Sequence, residues 1–109
     1  MIYHIATLEN WKAQLQDTTH YTPPTFLQEG FIHCSTPQQV EAVANRLFLA
    51  EDSLLLLLVD EEKEKDFITY ENLRGEPELY PHIYRPLPKS SILEILEWQK
   101  KDGKYTMEG

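Results

Sequence analysis

Four histidines and one cysteine are the residues of this chain with the broadest chemistry: His4, His20, His33, His82 and Cys34. His33 and Cys34 are neighbours in GFIHCST, residues 30–36, which runs from an apolar pair to two hydroxyls. Histidine beside cysteine first suggests zinc. On a strand, however, adjacent side chains point to opposite faces, so this pair cannot share an ion. No Cys-x-x-Cys or His-x-x-x-His spacing adds ligands, and no metal is expected. A nucleophilic Cys34 would need an open, electropositive setting. It shares its face with Ile32 and reads instead as a small buried hydrophobe. The four glycines include no Gly-x-Gly, so neither a dinucleotide fingerprint nor a triphosphate loop is present.

His4, His33 and His82 each fall in a segment that reads as a strand. Period-two alternation puts His33 on one face with Phe31 and Ser35, and His82 on one face with Tyr80 and Tyr84. Aromatic bodies with polar tips suit a pocket for a flat, partly polar ligand. The other reading is a core histidine with both nitrogens satisfied, and the pattern alone leaves both open. Ser35 and Thr36 could act as pocket donors and also cap the helix that follows.

The elements that must position these residues read as follows. IYHIA is a strand with Ile2, His4 and Ala6 on one face. Thr7 caps a short helix whose apolar stripe is Leu8, Trp11 and Leu15. DTTHYTPPTFLQE reads as loop, because of its hydroxyls and Pro23-Pro24. GFIHC is a strand. Pro37 opens a helix that buries Val40, Val43, Ala44, Leu47 and Phe48. SLLLLLVD is an apolar strand covered on both faces. EEKEKD reads as a solvated turn, FITYE as a strand and NLRGEPE as a loop. The prolines of LYPHIYRPL place it at a sheet edge or bulge. SILEILEW fits helix or strand, and strand is preferred. Residues 100–109 read as a turn and a frayed tail. Two early helices among about six strands predict one α+β domain spanning residues 1–109.

Bulk properties narrow the function. The 109 residues carry a net charge of −8, which disfavours bulk attraction to nucleic acid or an anionic membrane. The single cysteine excludes an internal disulfide and suits a reducing cytoplasm. The start has no signal-peptide pattern. Leu54–Val59 is far shorter than the ~20 residues that a helical span requires.

IYHIA, EGFIHCSTPQQV, YE and LYPHIYRPL, in this order and spacing, resemble the bacterial domain-of-unknown-function family 952 over residues 1 to about 95. That family is grouped with ADP-ribosyltransferase-like folds, so the resemblance implies a split, mostly antiparallel sheet around a cleft for NAD. By the same resemblance His4 holds a ribose hydroxyl, and His33 with Ser35 lies near the nicotinamide or its ribose. The third position is Glu71, His82 or Tyr84. Glu71 is the carboxylate available to stabilise positive charge. Arg85 stands where the family usually has glycine and would add a phosphate-pairing cation at the rim; Tyr80 replaces a more usual phenylalanine. The expected catalytic residues are thus His4, His33 and Glu71. The expected ligand-binding residues are Ser35, Thr36, Tyr80, His82, Tyr84 and Arg85. Three functions compete: an enzyme using NAD or an ADP-ribose-like ligand as substrate, a non-catalytic nucleotide or small-molecule binding domain, and a metal-dependent enzyme. Protein partners and oligomeric state are not legible.

Overall fold

The computed structural model of the chain describes residues 1–73, 75 and 77–107. Its centre is β4 (Ser53–Val59), which lies between β1 (Ile2–Ala6) and β8 (Ile92–Gln99), both antiparallel to it. Five consecutive leucines make this position possible. Leu55, Leu57 and Val59 enter one core with Ile2, Ala6 and Tyr21. Leu54, Leu56 and Leu58 enter the other with Val40, Ala44 and Trp98. Each buried leucine contributes about 1.5–3 kcal/mol of transfer free energy, so a strand that is apolar on both faces anchors both layers. The outer strand β8 carries Glu94 and Glu97, charges that discourage further pairing at a sheet edge.

A second antiparallel sheet has the order β3 (Ile32–His33), β6 (Tyr80–Ile83), β5 (Ile68–Glu71). A two-stranded ribbon joins β2 (His20–Tyr21) to β7 (Leu87–Pro88). The two larger sheets meet at one bridge. Tyr3 and Ser35 exchange both backbone hydrogen bonds, each 2.8 Å. Cys34 still donates to Pro81 of β6, so the segment after β3 leaves one sheet and joins the other within a single residue. The α+β, mostly antiparallel architecture expected from the sequence is present.

Among the described residues, four α-helical segments surround the sheets: α1 (Leu8–Ala13), α2 (Pro24–Glu29), α3 (Val40–Leu47) and α4 (Glu61–Glu64). Thr7 caps α1, its hydroxyl accepting from Asn10 N–H at 3.1 Å. The expected α1 stripe is only partly used: Trp11 packs on the core, whereas Leu8 and Leu15 are exposed.

Several expectations are corrected. The segment read as loop contains β2 and α2. Its prolines start α2, since φ of proline suits a first turn, and Gly30 ends it with φ 82°. Neither Ser35 nor Thr36 caps α3. A turn intervenes, in which the Thr36 carbonyl accepts from Gln39 and Val40, and the helix starts at Val40. Leu47 is exposed rather than buried. The acidic run at 60–66 is not a simple solvated turn: Asp60 caps α4, a 3-10 turn follows at Lys65–Phe67, and Glu64 is fully buried. β6 is the central strand of its sheet despite Pro81, which offers its carbonyl to Cys34 where the two-residue β3 has ended. The tail is docked as far as Met107, with Tyr105 fully buried; Glu108 and Gly109 lie outside the described residues. The loop expected at NLRGEPE also lies partly outside them, at Arg74 and Glu76.

Candidate functional site

The Tyr3–Ser35 bridge determines which side chains meet. His4 follows Tyr3 and His33 precedes Ser35 by two, so joining the strands brings the histidines together. His4 Nδ1–H donates to the His33 carbonyl at 2.6 Å. Its Nε2 then accepts from the Tyr21 hydroxyl at 2.9 Å. This tautomer satisfies the whole ring. Burial drives the His4 pKa down from 6.5 to about 4, against the opposing pull of the His33 carbonyl. His4 is therefore a neutral, buried strut. A ribose hydroxyl could grip it only by displacing Tyr21.

The second sheet builds a polar cluster by register. His33 lies opposite His82, and Thr69 opposite His82 on the other side. Glu71 is therefore the diagonal neighbour of His82, within side-chain reach on the same face. Phe31 and Tyr84, each two residues away along the chain, share that face. The contacts follow from this placement. His82 Nδ1–H donates to Glu71 Oε2 at 2.8 Å, and the Tyr84 hydroxyl donates to the same oxygen. The His82 ring stacks on Phe31 with centroids 4.3 Å apart. The His33 and His82 rings meet edge-on at 5.2 Å. His33 Nε2 pairs with Glu29, which the left-handed turn at Gly30 folds back toward it.

The three residues between which the sequence could not choose, Glu71, His82 and Tyr84, thus form one hydrogen-bonded unit. The Tyr84 hydroxyl and the His82 ring hold the Glu71 carboxyl below its usual range. Burial lowers the His82 pKa, only partly opposed by Glu71. Glu71 in turn pushes the Tyr84 hydroxyl up to about 12.

These groups open onto a cavity of about 730 Å³ at the seam between the two sheets. That size lies within the ~300–1,000 Å³ typical of small-ligand sites. His4, His33, Ser35, Glu71, Tyr80 and His82 all line it. Thr36, Tyr84 and Arg85 are not on its wall. Thr36 is held in the turn before α3, its N–H donating to Gln39 Oε1. Tyr84 acts through Glu71. Arg85 is no rim cation: Nε and Nη2 each donate at 2.9 Å to the buried Glu64 carboxylate, and its guanidinium lies 3.9 Å from the Phe67 ring centre. A buried carboxylate needs such a partner, which explains an arginine at this position.

The wall also contains residues that the sequence did not single out as ligand-binding: Tyr21, Glu29, Phe31 and Arg46. Phe31 was recognisable as a face-mate of His33, but Tyr21 and Glu29 lay in the supposed loop, and Arg46 was one of several helix-surface charges. Cys34 lines the cavity while remaining buried, and burial pushes its thiol far above the ordinary range, as expected of an inert cysteine. Among the described residues, no group of three or more His, Cys, Asp or Glu side chains could hold a metal ion. No helix among them is long and apolar enough to cross a membrane.

This architecture is similar to that of protein CC0527 from Caulobacter crescentus. Its crystal structure is 29% identical, with TM-score 0.83, covering 96% of this chain and 92% of that one. A crystal structure of a CC0527 double mutant matches with TM-score 0.82, at 29% identity and the same coverage. Its solution NMR structure matches with TM-score 0.80 at 28% identity, covering 95% and 89%. No curated protein matches the chain. A family model matches residues 5–95, and on that match the chain belongs to the family described as "Protein of unknown function (DUF952)".

Proposed function

We propose that the cavity binds a nucleotide of the NAD or ADP-ribose type and that the protein uses it as a substrate, in a manner similar to ADP-ribosyltransferases. The observation that carries this reading is the convergence of His4, His33 and His82, from three strands, on one cavity of ligand size. Aromatic side chains and polar tips suit a flat ring joined to a sugar. His33 is the gripping residue, because His4 is already satisfied by Tyr21 and the His33 carbonyl. Ser35 and Tyr80 line the same space. Arg46 of α3 lines the wall, and a guanidinium is the group best suited to a pyrophosphate in an otherwise acidic protein. The two sheets joined at a single bridge agree with the split sheet expected of that fold group. The buried thiol, in a chain with one cysteine, fits a cytoplasmic setting.

A binding-only role is the second reading. It is favoured by the Glu71 oxygen already committed to His82 and Tyr84. Thermal denaturation with NAD, ADP-ribose and nicotinamide tests the site. A nucleotide at 100 times its dissociation constant should add about 2.7 kcal/mol of stability. His33→Ala should abolish that gain while leaving the unliganded melting temperature nearly unchanged. No shift with either nucleotide, or a His33→Ala protein that melts early yet binds normally, would defeat the proposal. Nicotinamide release from NAD distinguishes substrate use from binding alone.

A further inference from the structure

The Glu71–His82 pair does more than decorate a pocket. The carboxylate accepts the Nδ1 proton at 2.8 Å, which leaves the Nε2 lone pair as the ring's basic site. Nε2 receives no hydrogen bond from any described residue, and no buried side-chain nitrogen or oxygen among them lacks a partner. Nε2 is thus not fully enclosed, on a residue that is 5% exposed and lines the cavity. Stacking on Phe31 fixes the ring plane, and the Tyr84 hydroxyl holds the carboxylate oxygen that orients it. Such an oriented, neutral imidazole facing a cavity has the parts of a general base.

We propose that His82, positioned by Glu71, accepts the proton of a hydroxyl nucleophile, water in the simplest case, that attacks the nicotinamide-bearing ribose carbon of the bound substrate. This rests on reading the cavity as an NAD-type site. The new bond is between that carbon and the hydroxyl oxygen. The bond that breaks is the glycosidic carbon–nitrogen bond, whose electron pair leaves with nicotinamide and neutralises its ring. The hydroxyl proton passes to His82 Nε2 and then to solvent. With water, the products are ADP-ribose, nicotinamide and one proton. Glu71 is a positioning residue in this scheme, and the acceptor class is a neutral hydroxyl.

Among the described residues, the charged and titratable groups facing His82 are Glu71 on β5, Tyr84 just beyond β6, His33 on β3 and Glu29 at the end of α2. Burial outweighs the two carboxylates, so the ring remains neutral, and basic, at neutral pH.

The test measures nicotinamide release from NAD between about pH 5 and 9, beside ADP-ribose affinity by calorimetry, on folded wild type, His82→Ala and Glu71→Gln. His82→Ala should lower kcat about 100-fold, as loss of a general base does, with ADP-ribose affinity held within about threefold. Wild-type kcat should rise with pH through a midpoint below 6.5. Glu71→Gln should move that midpoint lower and reduce kcat, with KM unchanged. A His82→Ala protein that loses affinity and kcat in proportion would make His82 a gripping residue and overturn the proposal. So would an unmoved midpoint in Glu71→Gln. Wild type that binds ADP-ribose but releases no nicotinamide would remove the base and leave the binding reading standing. Wild type that binds neither nucleotide would end both.

Discussion

His4 shows how far a single residue's meaning depends on its partners. Its strand position and its face were legible, because IYHIA alternates. Its role was not, since both partners of the ring, Tyr21 and the His33 carbonyl, come from distant segments. The consequence is a pH dependence with a definite sign. Unfolded His4 takes up its proton near 6.5, and folded His4 only near about 4. Between those values the unfolded chain binds the extra proton. Stability is therefore complete above pH 6.5, falls as the pH drops through this window, and has lost the whole contribution by about pH 4. His82 is lowered as well and adds in the same direction. Melting temperature followed from about pH 7.5 to about pH 4 should decline below 6.5 and decline less in His4→Gln. A flat profile down to about pH 4.5 would mean that His4 is not held neutral by folding.

Element by element, what was legible is what repeats. β4 announces itself by five leucines, and the buried side of α3 by Val40 and Ala44. α2 gave no such signal. It buries no residue, and Leu27 is 81% exposed, so hydrophobic periodicity is absent. Its marks are punctuation: Pro23-Pro24 at the start and Gly30 at the end. Read as breakers, those residues erased a helix; read as an N-terminal proline and a C-terminal glycine, they define one. β6 was misplaced for a related reason. Pro81 argues for an edge strand in general, but opposite the two-residue β3 its missing N–H disturbs little. The α2 terminus matters because it aims Glu29 at His33. At Gly30 no atom lies within 4 Å of an added Cβ, so conformation, not space, opposes a side chain at φ 82°. Gly30→Ala should cost about 1–2 kcal/mol, the penalty of a left-handed backbone, and Gly30→Asn less. Chemical denaturation measures both. Equal, negligible losses would show that the turn rearranges freely.

Across the whole molecule, the tail and the site are connected. Nothing in KKDGKYTMEG suggests a core, because the burial of Tyr105 is created by surfaces far away in sequence. Its ring packs at 5.0 Å from Trp98, and its hydroxyl donates to the Glu51 carbonyl at 2.5 Å. Asn45 of α3 clasps its backbone from both sides, accepting from the Tyr105 N–H at 2.9 Å and donating to its carbonyl at 2.8 Å. The next residue along α3, Arg46, lines the cavity, as do Val43 and Leu47. The tail thus seats the helix that forms one wall of the candidate site. Tyr105→Ala should cost about 3–5 kcal/mol, as for other large aromatic deletions in a core. Tyr105→Phe removes only the hydroxyl bond and should cost about 1 kcal/mol. The coupling is read by amide hydrogen exchange under native conditions. In Tyr105→Ala, exchange should accelerate in α3, Val40–Leu47, as well as in residues 101–107; in Tyr105→Phe it should change little in α3. Acceleration confined to the tail would mean that α3 is held by Val40 and Ala44 alone, and that the site does not depend on the C-terminal segment.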